Sequence, residues 1–121
     1  MTEVRINNAR FYAHHGVFDY EKTHGNEFGV DIIMKCDLSD LKDSDDLHKT
    51  VNYQSVYKLA EKVFKENKFN LIETVNKKLC MDILENFPLV KSVIVKIRKP
   101  NAPLGIIDSV EIINEISREE I

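Results

Sequence analysis

Residues 28–37 alternate in polarity more regularly than any other stretch of the chain. Phe28, Val30, Ile32, Met34 and Cys36 share one parity, and Gly29, Asp31, Lys35 and Asp37 share the other, with Ile33 the exception. A period of two predicts a strand with one buried face. Residues 92–98 repeat the pattern, with Val93, Val95 and Ile97 set against Ile94, Lys96 and Arg98. Residues 4–13 read as a strand of mixed polarity. Residues 108–117 read as a last strand with Val110, Ile112 and Ile116 on one side.

Two other stretches follow the helical period. Tyr53, Val56, Tyr57, Ala60, Val63 and Phe64 recur at spacings of three and four, which predicts a helix over 52–66 with Asn52 as N-cap. Ile72, Val75, Leu79, Ile83 and Leu84 predict a second helix over 71–86. Asn70 stands ready to cap it, Glu73 three residues later completes a capping-box pattern, and Pro88 marks the exit. The segment HHGVFDYEKTHGN, with Gly16 and Gly25, reads as a long loop or bulged turn, and PNAPLG at 100–105 as another loop.

The order is therefore ββααββ. It predicts an α+β fold, a mostly antiparallel four-stranded sheet with two helices on one face. The opposite face carries Asp31, Ile33, Lys35, Ile94, Lys96, Arg98 and Ile113, a mixture that suits either solvent or an assembly. Two sheet edges also stay open, and such edges invite pairing with another copy.

Composition narrows the classes. A length of 121 residues, 43% of them hydrophobic, fits a single domain over 1–121 with a modest core. The net charge of -3, from 17 basic and 20 acidic residues, argues against a nucleic-acid partner. The charged run LKDSDDLHK at 41–49 reads as a solvated loop. Cys36 and Cys80 form no CxxC and fall at apolar positions, as buried free thiols do. MTEVRINNARF has no apolar core of a signal peptide, and no apolar run approaches a membrane span. A cytoplasmic protein with no membrane partner is expected.

Four segments carry a resemblance. FYAHHGVFDYE at 11–21 has an aromatic, then HG, then a glutamate five residues after the glycine; TVNY at 50–53, LIETV at 71–75 and KIRKPNAP at 96–103 follow in order. Each is weak alone, but together and over nearly the whole chain they resemble the dihydroneopterin aldolase family. The resemblance implies the tunnelling fold, in which four subunits join sheets into a barrel, two rings stack into an octamer, and active sites lie between neighbours. It implies conversion of 7,8-dihydroneopterin, in folate biosynthesis, to 6-hydroxymethyl-7,8-dihydropterin and glycolaldehyde. No cofactor is needed, because the pterin's own C6=N5 imine accepts the electrons that other aldolases send to a lysine Schiff base or a zinc ion.

The same resemblance assigns residues. Lys99 is implied as general acid/base, which calls for a pKa lowered by partial burial or a nearby cation; a solvated lysine at a strand end is the plain alternative. Glu73 is implied as the anchor for the pterin N3–H and 2-amino group, with Ile72 adding a backbone contact; a helix-capping glutamate is the alternative. Tyr53 is implied as the aromatic that stacks on the pterin from the adjacent subunit and passes a proton; a core tyrosine is the alternative. Glu21 is implied beside the hydroxyl tail, against a solvated loop carboxylate. His14 and His15 suggest a metal, but adjacent strand residues point to opposite faces, so no metal site is expected.

Three rivals stay open. A 2'-epimerase of dihydroneopterin or its triphosphate shares the retro-aldol step, also as a side activity of an aldolase; the chain shows no dedicated cation cluster for a triphosphate, but Arg98, Lys96 and Lys22 leave that substrate open. A non-catalytic pterin-binding subunit and a zinc-dependent relative are the others. The last strand, DSVEIINEISR, runs slightly beyond the family's usual ending, which leaves its register open.

Overall fold

The strands predicted from alternation pair in chain order. In the computed structural model, which describes residues 1–100 and 102–121, β1 (Thr2–Ala13), β2 (Asn26–Cys36), β3 (Val90–Lys99) and β4 (Val110–Ser117) form one sheet of order β1-β2-β3-β4. Each adjacent pair is antiparallel. Asn101, part of both the predicted PNAPLG loop and the KIRKPNAP segment, lies outside the described residues.

Three helices join the strands: α1 (Asp19–His24), α2 (Tyr53–Lys65) and α3 (Ile72–Asn86). Gly29 and Ile33 of the other parity are buried as well, but the core-facing parity of β2 is as expected, Phe28, Val30, Ile32, Met34 and Cys36 all being fully buried. They meet Val56, Ala60 and Phe64 of α2 and Val75, Leu79 and Ile83 of α3 in one core. Burying these side chains contributes on the order of 1.5–3 kcal/mol each, the term that holds the two-layer arrangement together. Asn52 caps α2 as predicted, its Oδ1 accepting from the backbone N–H groups of Gln54 and Ser55.

The second helix begins differently from the prediction. Leu71, not Asn70, is the N-cap residue, and no side chain caps α3. Asn70 is drawn elsewhere, its Oδ1 accepting from Lys22 Nζ. At the other end Arg118, in a short 3-10 turn after β4, donates to the carbonyls of Leu84, Phe87 and Val90. The register of β4 is unbroken, from Lys99 opposite Val110 to Ser92 opposite Ser117.

One expectation fails outright. The segment read as a long loop contains α1, a six-residue helix ended by Gly25 at φ 78. A Cβ at Gly25 would meet the Tyr12 ring at 2.6 Å, so glycine is required there for space as well as for the left-handed backbone.

The outer sheet face is mixed, as expected. Arg98 donates to both carboxylate oxygens of Asp31 (2.8 and 3.1 Å), to Glu111 (3.0 Å) and to Asn8 Oδ1 (3.0 Å). Asn8 sits at φ 53 in a register shift of β1 and donates its backbone N–H to Asp31. The Arg98 hydrogen bond holds the Asp31 carboxyl below the usual range, and the Asp31 bond in turn pushes the Arg98 pKa up.

Candidate active site

Lys99 is the last residue of β3 and shares parity with the buried Val95 and Ile97, so it lies on the helix side of the sheet. At the strand's end it emerges into a cleft, where its Nζ donates to Glu21 Oε2. The two side chains are 12% and 6% exposed. Glu21 stands at the third position of α1, and its Oε1 also accepts the Phe18 N–H at the N-cap (3.3 Å). That is the carboxylate half of a capping box; Phe18 has no oxygen to supply the other half.

Gly16 makes room for this pair. A Cβ built there would lie 2.5 Å from Glu21 Cδ and 2.6 Å from both Glu21 Cβ and Oε2. Real carbon contacts sit at about 3.5–4.0 Å, so only glycine lets the backbone pass over the carboxylate.

The opposite wall is the start of α3. Ile72 is buried and Glu73 is exposed in the first turn. Thr74 N–H bonds to Leu71 O, while the N–H groups of Ile72 and Glu73 precede the first intrahelical bond. The two walls enclose a cavity of about 300 Å³ lined by Glu21, Lys99, Ile72, Glu73 and an apolar rim that includes Phe18 and Leu104. One end therefore offers a buried ammonium–carboxylate pair and the other a free carboxylate beside helix N–H groups. The first suits proton transfer, and the second suits a ligand edge with two N–H donors.

Four of the five predicted site residues thus converge. Tyr53 does not join them. It is 63% exposed at the start of α2 and lines a separate groove with Ile6, Gln54, Tyr57 and Lys58. The core alternative for Tyr53 is excluded by that exposure. The capping-box alternative for Glu73 fails because no side-chain cap forms at α3. Glu21 is no solvated loop carboxylate, being buried against Lys99.

Other expectations need correction. The charge beside Lys99 is a carboxylate, not a cation; only the partial burial is as anticipated. Of the cations named for a triphosphate, Arg98 is held on the far sheet face by Asp31 and Glu111, and Lys22 is held by Asn70. His15 is fully buried, with both ring nitrogens bonded to backbone groups. Among the described residues no three His, Cys, Asp or Glu side chains are grouped to hold a metal.

Gly16, Phe18 and Leu104 were not singled out from sequence as parts of a site. Gly16 carried a signal, since it stands in the HG pair five residues before Glu21, but the clearance it provides exists only once α1 has formed. Phe18 and Leu104 carried none beyond being apolar residues in loops.

The family model for dihydroneopterin aldolase (FolB) matches residues 4–115. The dihydroneopterin aldolase of Bacillus subtilis strain 168 is 34% identical over 121 residues, 99% of each chain. That of Staphylococcus epidermidis RP62A is 39% identical over 117 residues, 96% of this chain and 95% of its own. The structure of Escherichia coli dihydroneopterin aldolase in complex with neopterin superposes with a TM-score of 0.88 at 26% identity, covering 97% of this chain and all of that one (100%). A cleft joining Lys99 and Glu21 to Glu73, in a chain matched from end to end at these levels, places the protein in the dihydroneopterin aldolase family.

Proposed function

We propose that this protein is a 7,8-dihydroneopterin aldolase of folate biosynthesis, releasing glycolaldehyde and 6-hydroxymethyl-7,8-dihydropterin. The observation that carries the reading is the buried Lys99–Glu21 pair facing Glu73 across one cavity. The neopterin complex of the Escherichia coli relative supports a pterin ligand.

In this reading the pterin's N3–H and 2-amino group donate to Glu73, with backbone N–H groups at Ile72 and Glu73 beside the ring. The hydroxylated tail then points to Lys99 and Glu21. The Lys99 amine takes the 2'-hydroxyl proton, the C1'–C2' bond breaks, and its electrons flow into C6=N5. Glycolaldehyde leaves, and the enamine regains a proton at C1'. Glu21 accepts the hydrogen bond from Nζ and so fixes the amine for the transfer. Atoms and electrons balance without an oxidant, and the imine sink removes any need for a metal, a cofactor or a Schiff base.

Tyr53 completes the site from a neighbouring subunit. Its exposure at the start of α2, away from its own chain's cleft, supports that arrangement. The assembly is a four-subunit ring, paired into an octamer. The engagement of Arg98 on the far sheet face by Asp31 and Glu111 favours the neutral substrate over its triphosphate.

The test is incubation with 7,8-dihydroneopterin in EDTA, following glycolaldehyde and the 2'-epimer. Stoichiometric glycolaldehyde supports the reading; epimer alone, or pterin bound without turnover, rejects it.

A further inference from the structure

The HG pair has a second member besides Gly16. His15 is fully buried among Phe28, Phe64 and Phe69, its ring stacked on Phe69 at 5.8 Å and 18°. Its Nδ1 accepts the Phe69 N–H at 3.0 Å, and Nε2 lies 3.0 Å from Phe64 O. A backbone N–H can only donate, so Nδ1 is the bare nitrogen and Nε2–H donates to Phe64 O, one of the last carbonyls of α2. The neighbouring Gly16 N–H donates to Phe69 O at 3.0 Å. Residues 15 and 16 therefore take both backbone groups of Phe69. One residue further on, Asn70 receives Lys22.

These bonds join the two walls of the cleft. Residues 15–22 lead into and carry Glu21; residues 69–73 lead into and carry Glu73. A flat ligand gripped at both ends binds well only if the ends stand at a fixed separation. We propose that His15 is a positioning residue that sets this separation, through its Nδ1 bond to the Phe69 N–H. The inference rests on the proposed function for the identity of the ligand, but not for the joining of the two walls.

Two amides separate this role from simple packing. In His15→Asn the side-chain oxygen falls near the Nδ1 position and keeps the Phe69 bond while losing Phe64 O. In His15→Gln the amide falls near Nε2, keeping Phe64 O and losing Phe69 N–H. Both lose one buried bond, so both lower Tm. Neopterin Kd by fluorescence titration and KM for 7,8-dihydroneopterin are expected to rise about tenfold in His15→Gln, with smaller change in kcat, and to stay near the parent in His15→Asn. Equal shifts in the two variants, or none in either, overturn the proposal. Should His15→Gln not fold, Lys22→Met, at a half-buried position, cuts the second tie between the same walls; it must raise Kd in the same direction, and an unchanged Kd overturns the proposal. A parent that binds neopterin but releases no glycolaldehyde defeats the functional reading alone, since the Kd comparison still decides the role of His15.

Discussion

Replacing Gly16 by alanine adds one methyl group and should cripple the enzyme. The new carbon would sit 2.5 Å from Glu21 Cδ and 2.6 Å from Glu21 Cβ. Ordinary carbon contacts need about 3.5 Å, so something must retreat by about 1 Å. Rotating the carboxylate away does not solve it, because Cβ is fixed to the α1 backbone. Either α1 or the loop ahead of it must shift, and Glu21 moves off Lys99 Nζ. A misplacement of about 1 Å in a catalytic constellation costs on the order of 100-fold in rate, or about 2.7 kcal/mol. The overpacking itself should cost about 1–3 kcal/mol of stability. Glycolaldehyde release under saturating substrate, with Tm measured alongside, gives both quantities. Gly105→Ala is the control, since nothing lies within 4 Å of its added carbon, and it should match the parent. Parental kcat in a folded Gly16→Ala protein would refute the claim that the passage over Glu21 is a tight fit that matters.

Further outcomes follow from the same geometry. Glu73→Gln removes the charge but keeps the shape; it should weaken neopterin binding by about 10–100-fold, the value of a charge-assisted bond, with titration as the readout. Burial depresses the pKa of His15 below its ordinary 6.5, so the unfolded chain takes up the proton first as pH falls. Stability contributed by neutral His15 is thus present above pH 6.5 and lost progressively below it; urea midpoints between pH 7 and 5 should show that slope, and His15→Asn should lack it. Arg98→Met leaves Asp31 without its cationic partner on the outer face, with the Asn8 N–H still bonded to it. It should lower Tm while leaving kcat/KM for 7,8-dihydroneopterin near the parent, which steady-state kinetics can check.

Period and parity carried most of the fold. The alternation of β2, Ile33 apart, and the spacing of Val56, Ala60, Val63 and Phe64 report which side chains face the core, and the packing of sheet on helices follows from them. The helix α1 escaped that logic because DYEKTH is too short to show a period and buries only Glu21, through a contact with Lys99 78 residues away. The start of α3 misled for the same reason. Asn70 is a good local cap, but Lys22, 48 residues distant, holds its side chain. Tyr53 continues the apolar stripe of α2 in sequence yet points out of the fold, since the stripe is wider than the buried face. The candidate site was readable as a set of residues through resemblance. Its arrangement was not, because proximity of Glu21 to Lys99 and their separation from Tyr53 depend on tertiary packing.

Lys99→Ala, saturated with 7,8-dihydroneopterin and followed in a single turnover, bears most directly on the chemistry assigned here. Loss of the acid/base should slow glycolaldehyde release by about 10²–10⁴-fold while neopterin still binds. Release at the parental rate from that variant would contradict the assignment of proton transfer to Lys99.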